Sequence, residues 1–172
     1  LSASHCVSLG MQSETIQREV SQLVSQAGIS VFTLPQTNLF LQGRDHISQM
    51  PRGLTAIKSL QDQNVVLAAG ADNVRDPFNT MGRSDPFETA ALMVMAGHQT
   101  PQDAFDLVSV NARKAMGLEK AALEIGDVAD FVAVEAPSLG TALADAPMNR
   151  RVFKEGILVA ASDQRTVIYR GL

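Results

Sequence analysis

Residues 65–69, Val65-Val66-Leu67-Ala68-Ala69, form an uninterrupted apolar run that ends at Gly70-Ala71-Asp72-Asn73. A run this short reads as a strand. A strand without polar alternation is one buried on both faces, as in a parallel sheet covered by its crossover helices. A chain built around such a strand is therefore expected to alternate strands and helices.

The flanking sequence supplies that alternation. Residues 1–4 read as a strand or its end. Ile16, Val20, Leu23, Val24 and Ala27 recur at helical spacing, with Ser13 placed as N-cap and Gly28 as the left-handed residue past the C-terminus. Residues 29–34 read as a second strand stopped by Pro35. A polar loop follows, with Gln36, Asn38, Gln42, Gly43, Arg44, Asp45 and His46. The spacing of Leu54, Ile57 and Leu60 predicts a helix over 54–63. After the 65–69 strand comes a second polar loop, 74–84. Asp85-Pro86-Phe87-Glu88 opens a third helix, with Asp as N-cap and Pro at the first helical position, and Gly97 closes it. Thr100-Pro101-Gln102-Asp103 opens a fourth, and a short helix over 111–116 ends at Gly117. Met93, Met95 and Met116 read as helix core. Composition shifts after Leu118: segments 129–134, 152–159 and 166–169 read as short β strands of a small β region. The expectation is an α/β chain in two parts, residues 1–118 and 119–172.

Bulk properties exclude several classes. With 172 residues, 45% of them hydrophobic, the chain can build one core, or one core and a small appendage. Acidic residues outnumber basic ones, 18 to 14, and the basic ones are scattered, so no nucleic-acid footprint is expected. No apolar run approaches the ~18 residues of a membrane span. A single cysteine, Cys6, leaves no internal disulfide framework and fits a reducing, cytoplasmic compartment. The chain starts within a strand, without an initiator Met or a basic leader, which points to further sequence upstream.

Both polar loops follow the C-terminal ends of strands, the face where parallel α/β folds bind ligands. The connections at the opposite face, at Gly28 and Asn64, are short. Asp72 stands out on the ligand-binding face. A carboxylate directly after five apolar residues must be paired or desolvated, which suits a metal ligand and proton shuttle; capping its own loop is the structural alternative. His5, past the first strand, could bind metal or polarise a water, although a backbone-satisfied histidine is the commoner outcome at such a place. Gln36, Asn38, Gln42 and Arg44 could hydrogen-bond a polar substrate, or be solvated. His46 and His98 read as surface or loop histidines. Cys6 would point away from His5 on a strand, as a small core residue.

Several segments, in order and at compatible spacing, carry a family resemblance. These are Ser2-Ala3-Ser4-His5, Leu34-Pro35-Gln36-Thr37-Asn38-Leu39-Phe40-Leu41-Gln42-Gly43-Arg44, Arg52-Gly53-Leu54-Thr55 and Gly70-Ala71-Asp72-Asn73-Val74-Arg75-Asp76-Pro77-Phe78. Together they resemble the C-terminal part of a cytosine-deaminase-like amidohydrolase. Thr100-Pro101 through Asn111-Ala112 to Gly117-Leu118, then Gly126-Asp127-Val128-Ala129-Asp130-Phe131-Val132, is similar to the tail of the wider amidohydrolase superfamily.

The resemblance implies a metal-dependent (β/α)₈ TIM barrel with a small β-sandwich, this chain supplying barrel strands six to eight and the C-terminal part of the sandwich. It makes Asp72 the strand-eight metal ligand and base, and His5 the strand-six histidine near the metal-activated water. Gln36, Asn38, Asn73 and Phe78 fall at substrate-binding positions. One divalent metal, zinc or iron, is implied, with its other ligands outside this chain. A homo-oligomer of the full-length protein, acting on a small nucleobase-like substrate, is implied as well.

The family typically has two successive acids where this chain has Asp72-Asn73, and Trp where it has Phe78. Both positions border the substrate pocket, so the expected deaminase substrate extends from cytosine to related pyrimidines and triazines. The alternative expectation is a truncated or pseudoenzyme fragment acting only as an interaction module.

Overall fold

The computed structural model describes residues 1–121 and 123–169. The chain divides into two compact units, Leu1–Glu119 and Lys120–Leu172.

The first unit holds a parallel three-stranded sheet in the order β1 (Ser2–Ser4), β2 (Ser30–Thr33), β3 (Leu67–Ala69). Ala3 pairs with Val31, and Val31 with Leu67. All three residues of β3 are buried, as the unbroken apolar run requires. Helices α1 (Val7–Gly10) and α2 (Glu14–Gln26) connect β1 to β2. Helices α3 (Pro35–Leu41) and α4 (Ile57–Asp62) connect β2 to β3, and α5 (Pro86–Met95), α6 (Pro101–Val108) and α7 (Val110–Ala115) follow β3. Leu60, Met93 and Leu107 are fully buried with Val31 and Leu67; each such side chain contributes about 1.5–3 kcal/mol by leaving water.

The helix starts follow their caps. Ser13 Oγ accepts from the Ile16 amide at 3.5 Å, and Asp85 Oδ1 from the Phe87 amide at 3.0 Å. Thr100 Oγ1 accepts from the Asp103 amide at 3.1 Å, and its hydroxyl donates to Asp103 Oδ2 at 2.6 Å. Phe87 and Phe105 pack edge to face at 6.2 Å. The α2 stripe is less enclosed than its periodicity predicts. Ser21 is its fully buried residue, hydrogen-bonded to Ser59 of α4 at 3.1 Å, whereas Leu23 is 64% exposed.

Several expectations are corrected. The loop predicted after Pro35 begins with α3: Pro35 both ends the strand and occupies the first helical position, where its missing N–H costs nothing. Residues 54–56 precede α4 rather than belonging to it. Cys6 is not on a strand; its φ of 48° turns the chain into α1. Met95 and Met116 are exposed although Met93 is buried. Two residues along a helix is a rotation of about 200°, so Met93 and Met95 cannot share a face.

In the second unit, β4 (Phe131–Val134), β5 (Arg150–Lys154) and β6 (Ile157–Ser162) form an antiparallel sheet in that order. Phe131 and Phe153 stack across it with centroids 4.5 Å apart. The segment predicted as one strand over 152–159 is a hairpin. Glu155 and Gly156, with φ of 51° and 78°, make the two-residue turn that matches strand twist. Residues 166–169 are not a strand, and a helix, α8 (Leu139–Asp145), capped by Ser138 Oγ, lies between β4 and β5.

Candidate active site

The sheet's C-terminal edge brings His5 and Asp72 together. The His5 amide donates to the Phe32 carbonyl at 2.9 Å, the last rung between β1 and β2. Beyond it, His5 and Cys6 both adopt left-handed backbone, with φ of 63° and 48°, and the chain leaves the sheet. Past β3, the Gly70 amide donates to the Thr33 carbonyl at 3.0 Å, and Asp72 is again left-handed, with φ of 63°. Left-handed backbone at a residue other than glycine costs of order 1–3 kcal/mol and persists where the surroundings impose it.

The two side chains converge over the end of β2. His5 Nε2 lies 3.8 Å from Asp72 Oδ2, with the side chains 45% and 31% exposed. That separation is too long for a direct hydrogen bond. It leaves an imidazole nitrogen and a carboxylate oxygen facing a common, solvent-reachable point. A cavity of about 250 Å³ opens beside Asp72, lined by Gly70, Val74, Ser84, Pro86 and Thr89 among others.

Helix α3 supplies the supports. Asn38 Oδ1 accepts from His5 Nδ1 at 2.9 Å. Thr37, buried, holds both sides of Asp72: its hydroxyl donates to the Ala71 carbonyl at 3.3 Å and accepts from the Asn73 amide at 2.9 Å. Gln36 is buried and directed at α5, its Nε2 donating to Thr89 Oγ1 at 2.6 Å.

The loop after Asp72 closes on itself. Asn73 Nδ2 donates to Asp76 Oδ2 at 2.5 Å, and Asp76 Oδ1 accepts from the amides of Phe78 at 2.8 Å and Asn79 at 3.0 Å. The Asn73 amide above all, and then the two backbone donors, hold the Asp76 carboxyl below its ordinary value. Phe78, at the tip, is 59% exposed.

Of the residues singled out in the sequence, His5, Asn38, Asp72 and Asn73 are gathered at one edge. Gln36 faces a helix and Phe78 faces solvent. His98 lies at the far end of α5, with Nε2 2.7 Å from Arg52 Nη1. Thr37 was not anticipated. The signal that could have found it is Pro35 at a helix start, which places residues 37 and 38 side by side on one turn.

A comparison with known families matches the amidohydrolase family over residues 2–163. The chain is 32% identical over 167 residues to a pterin deaminase of Rhizobium rhizogenes, covering 94% of this chain and 38% of that protein. Among solved structures it resembles 5-methylcytosine deaminase from Klebsiella pneumoniae liganded with 5-fluorocytosine (TM-score 0.84, 19% identity, 98% of this chain and 42% of that one). It also resembles N-isopropylammelide isopropylaminohydrolase from Burkholderia multivorans (TM-score 0.78, 24% identity, 94% of this chain and 39% of that one). At these identities the structural likeness is one of fold. The chain spans about two-fifths of the length of each of these relatives. By the extent of the family match, the chain belongs to the amidohydrolase family.

Proposed function

We propose that the protein containing this chain is a metal-dependent hydrolase that removes ammonia or an amine from an amidine-type carbon of a nitrogen heterocycle. In this reading the first unit is strands six to eight of a (β/α)₈ barrel, and residues 119–172 belong to its β-sandwich. The observation that carries it is the facing of His5 Nε2 and Asp72 Oδ2 across 3.8 Å at the ligand-binding edge of a parallel sheet.

An imidazole nitrogen and a carboxylate oxygen are a donor set suited to zinc or iron. Among the described residues no third His, Cys, Asp or Glu joins them, so Asp72 would hold the ion together with ligands from outside this chain. When bound, a divalent cation supplies a lowered pKa for the water it contacts. Asp72 takes a proton from the water as its oxygen bonds to the ring carbon. His5 Nε2, on the side of the ring turned to Asp72, accepts a hydrogen bond from that water and orients it for the attack. The exocyclic C–N bond breaks as the leaving nitrogen gains the proton that Asp72 took, and the water's second proton passes to the neighbouring ring nitrogen, leaving a ring carbonyl.

The names of the relatives support the substrate class: a pterin, 5-methylcytosine and a substituted triazine offer the same chemistry, a ring carbon bearing an exocyclic nitrogen beside a ring nitrogen. Replacement of a second acid by Asn73, and Phe78 at the loop tip, leave room for rings other than cytosine. The test is ammonia release from cytosine, pterin, guanine and aminotriazines by the metal-supplemented protein. Turnover of at least one, lost in Asp72→Ala, is expected; no turnover of any, or an Asp72→Ala protein as active as the parent, overturns the reading.

A further inference from the structure

We propose that Thr37 and Asn38, consecutive residues of α3, are positioning residues that set the geometry of the reacting pair: Asn38 fixes the tautomer of His5, and Thr37 fixes the peptide frame of Asp72. The proposal rests on the reading of His5 and Asp72 as the pair that does the chemistry. It assigns Asn38 a role acting through His5, in place of the direct substrate contact expected from sequence.

The geometry is specific. Asn38 Oδ1 is an acceptor, so at 2.9 Å from His5 Nδ1 it keeps the proton on that nitrogen. Nε2, the nitrogen turned toward Asp72, is then left with its lone pair directed at the site. Among the described residues the buried Asn38 amide nitrogen has no partner, and neither has Gln36 Oε1. A flip would put a donor on Nδ1 and move the proton to Nε2, so the tautomer and the amide orientation are one choice.

Thr37 acts on the other member of the pair. Its hydroxyl uses its donor on Ala71 and its acceptor on Asn73, the two residues flanking Asp72. The left-handed φ of 63° at Asp72 is held from both sides. Because the two grips come from adjacent residues of one helical turn, a displacement of α3 moves both together.

The test uses the intact protein, with ¹⁵N-labelled histidine, in long-range ¹H–¹⁵N spectra at about pH 8, where an ordinary imidazole is neutral. His46 and His98 serve as internal references. His5 is expected as the Nδ1–H tautomer. Asn38→Asp, which keeps the acceptor, retains it. Asn38→Leu shifts the population toward Nε2–H. Thr37→Val leaves the tautomer unchanged and lowers kcat by about 10–100-fold, the range for groups that orient a ligand-bearing residue, with KM little altered. Thr37→Ser, which restores the hydroxyl, recovers most of the loss.

An Nε2–H tautomer in the parent protein, an unchanged tautomer in Asn38→Leu, or equal activity of Thr37→Val and Thr37→Ser overturns the proposal. If Asn38→Leu does not fold, the parent spectrum and the Thr37 pair decide it. Full activity in His5→Ala or Asp72→Ala would sink the underlying reading instead, and the tautomer spectra stand apart from that result because they need no turnover.

Discussion

His5 and Asp72 lie just past the ends of β1 and β3, strands separated by β2, yet Nε2 and Oδ2 approach to 3.8 Å. Two strand spacings put the backbones roughly 9.6 Å apart, so the side chains meet by leaning over the end of the middle strand. Groups brought together in this way should act as a unit. Asp72→Asn and His5→Ala are each expected to lower kcat by about 10²–10⁴-fold, with the double variant far less impaired than the product of the two losses. Steady-state kinetics on the three variants checks this, and simple multiplication of the effects would show that the two residues work separately.

Gly53 lies against the helix that holds this pair. Its φ is 73°, and a Cβ there would come within 3.0 Å of the Asn38 carbonyl oxygen. Gly53→Ala is expected to destabilise the fold by about 1–3 kcal/mol through the left-handed backbone alone. Chemical denaturation measures this, and a stability equal to the parent's would show that α3 yields without cost.

Asp76 makes the loop after Asp72 acid-sensitive in a defined direction. Its carboxyl is held below the ordinary value of 3.8, first by the Asn73 amide. A depressed carboxylate contributes stability that is present above the unfolded pKa and lost as pH falls through the folded one. The amide resonances of Phe78 and Asn79 should therefore hold steady from neutrality to about pH 4 and move together only below that. A midpoint at or above the ordinary value would contradict the hydrogen-bonded turn. Asp76→Ala should abolish the joint movement.

Cys6 follows His5, and its thiol is harder to ionise than an ordinary one. Burial pushes its thiol above the ordinary value of 9.0, which reduces the thiolate present at neutral pH. Alkylation by iodoacetamide at pH 7 should run more slowly than for a free cysteine in the same buffer. Rapid modification would mean that the turn at His5 and Cys6 opens readily.

Asp72 and His5 by themselves are too few to retain a divalent ion firmly. The isolated 172-residue chain is expected to retain less than one equivalent of zinc or iron after dialysis, measured by elemental analysis. Tight, stoichiometric retention would mean that the chain completes a site by itself.

The parts of this fold legible in sequence are those with short-range causes. The 65–69 run was a buried parallel strand in the making, and Ser13, Asp85 and Thr100 marked helix starts because each cap acts within three residues. Helix α3 was hidden because Gln36, Thr37 and Asn38 look like loop residues. They are polar because they grip the segments just past β1 and β3, and α5, rather than water, and such long-range partners leave no local trace. For the same reason His5 and Asp72 could be named from their places at strand ends and from the family resemblance, whereas Thr37, without a charge or a motif, could not. In the second unit, the Glu155-Gly156 turn was missed because apolar residues continue on both sides of it.

The loop beyond Asp72 is tied chiefly to itself: Asp76 gathers Asn73, Phe78 and Asn79, and Asn79 Nδ2 donates to the Asn73 carbonyl at 2.9 Å. Asn73 is the coupling between that self-closed turn and the frame held by Thr37. Changes at Phe78 or its neighbours can thus be absorbed within the turn while the facing groups behind it keep their spacing. Such a division separates a part of the edge that can vary in shape from a part whose spacing is fixed.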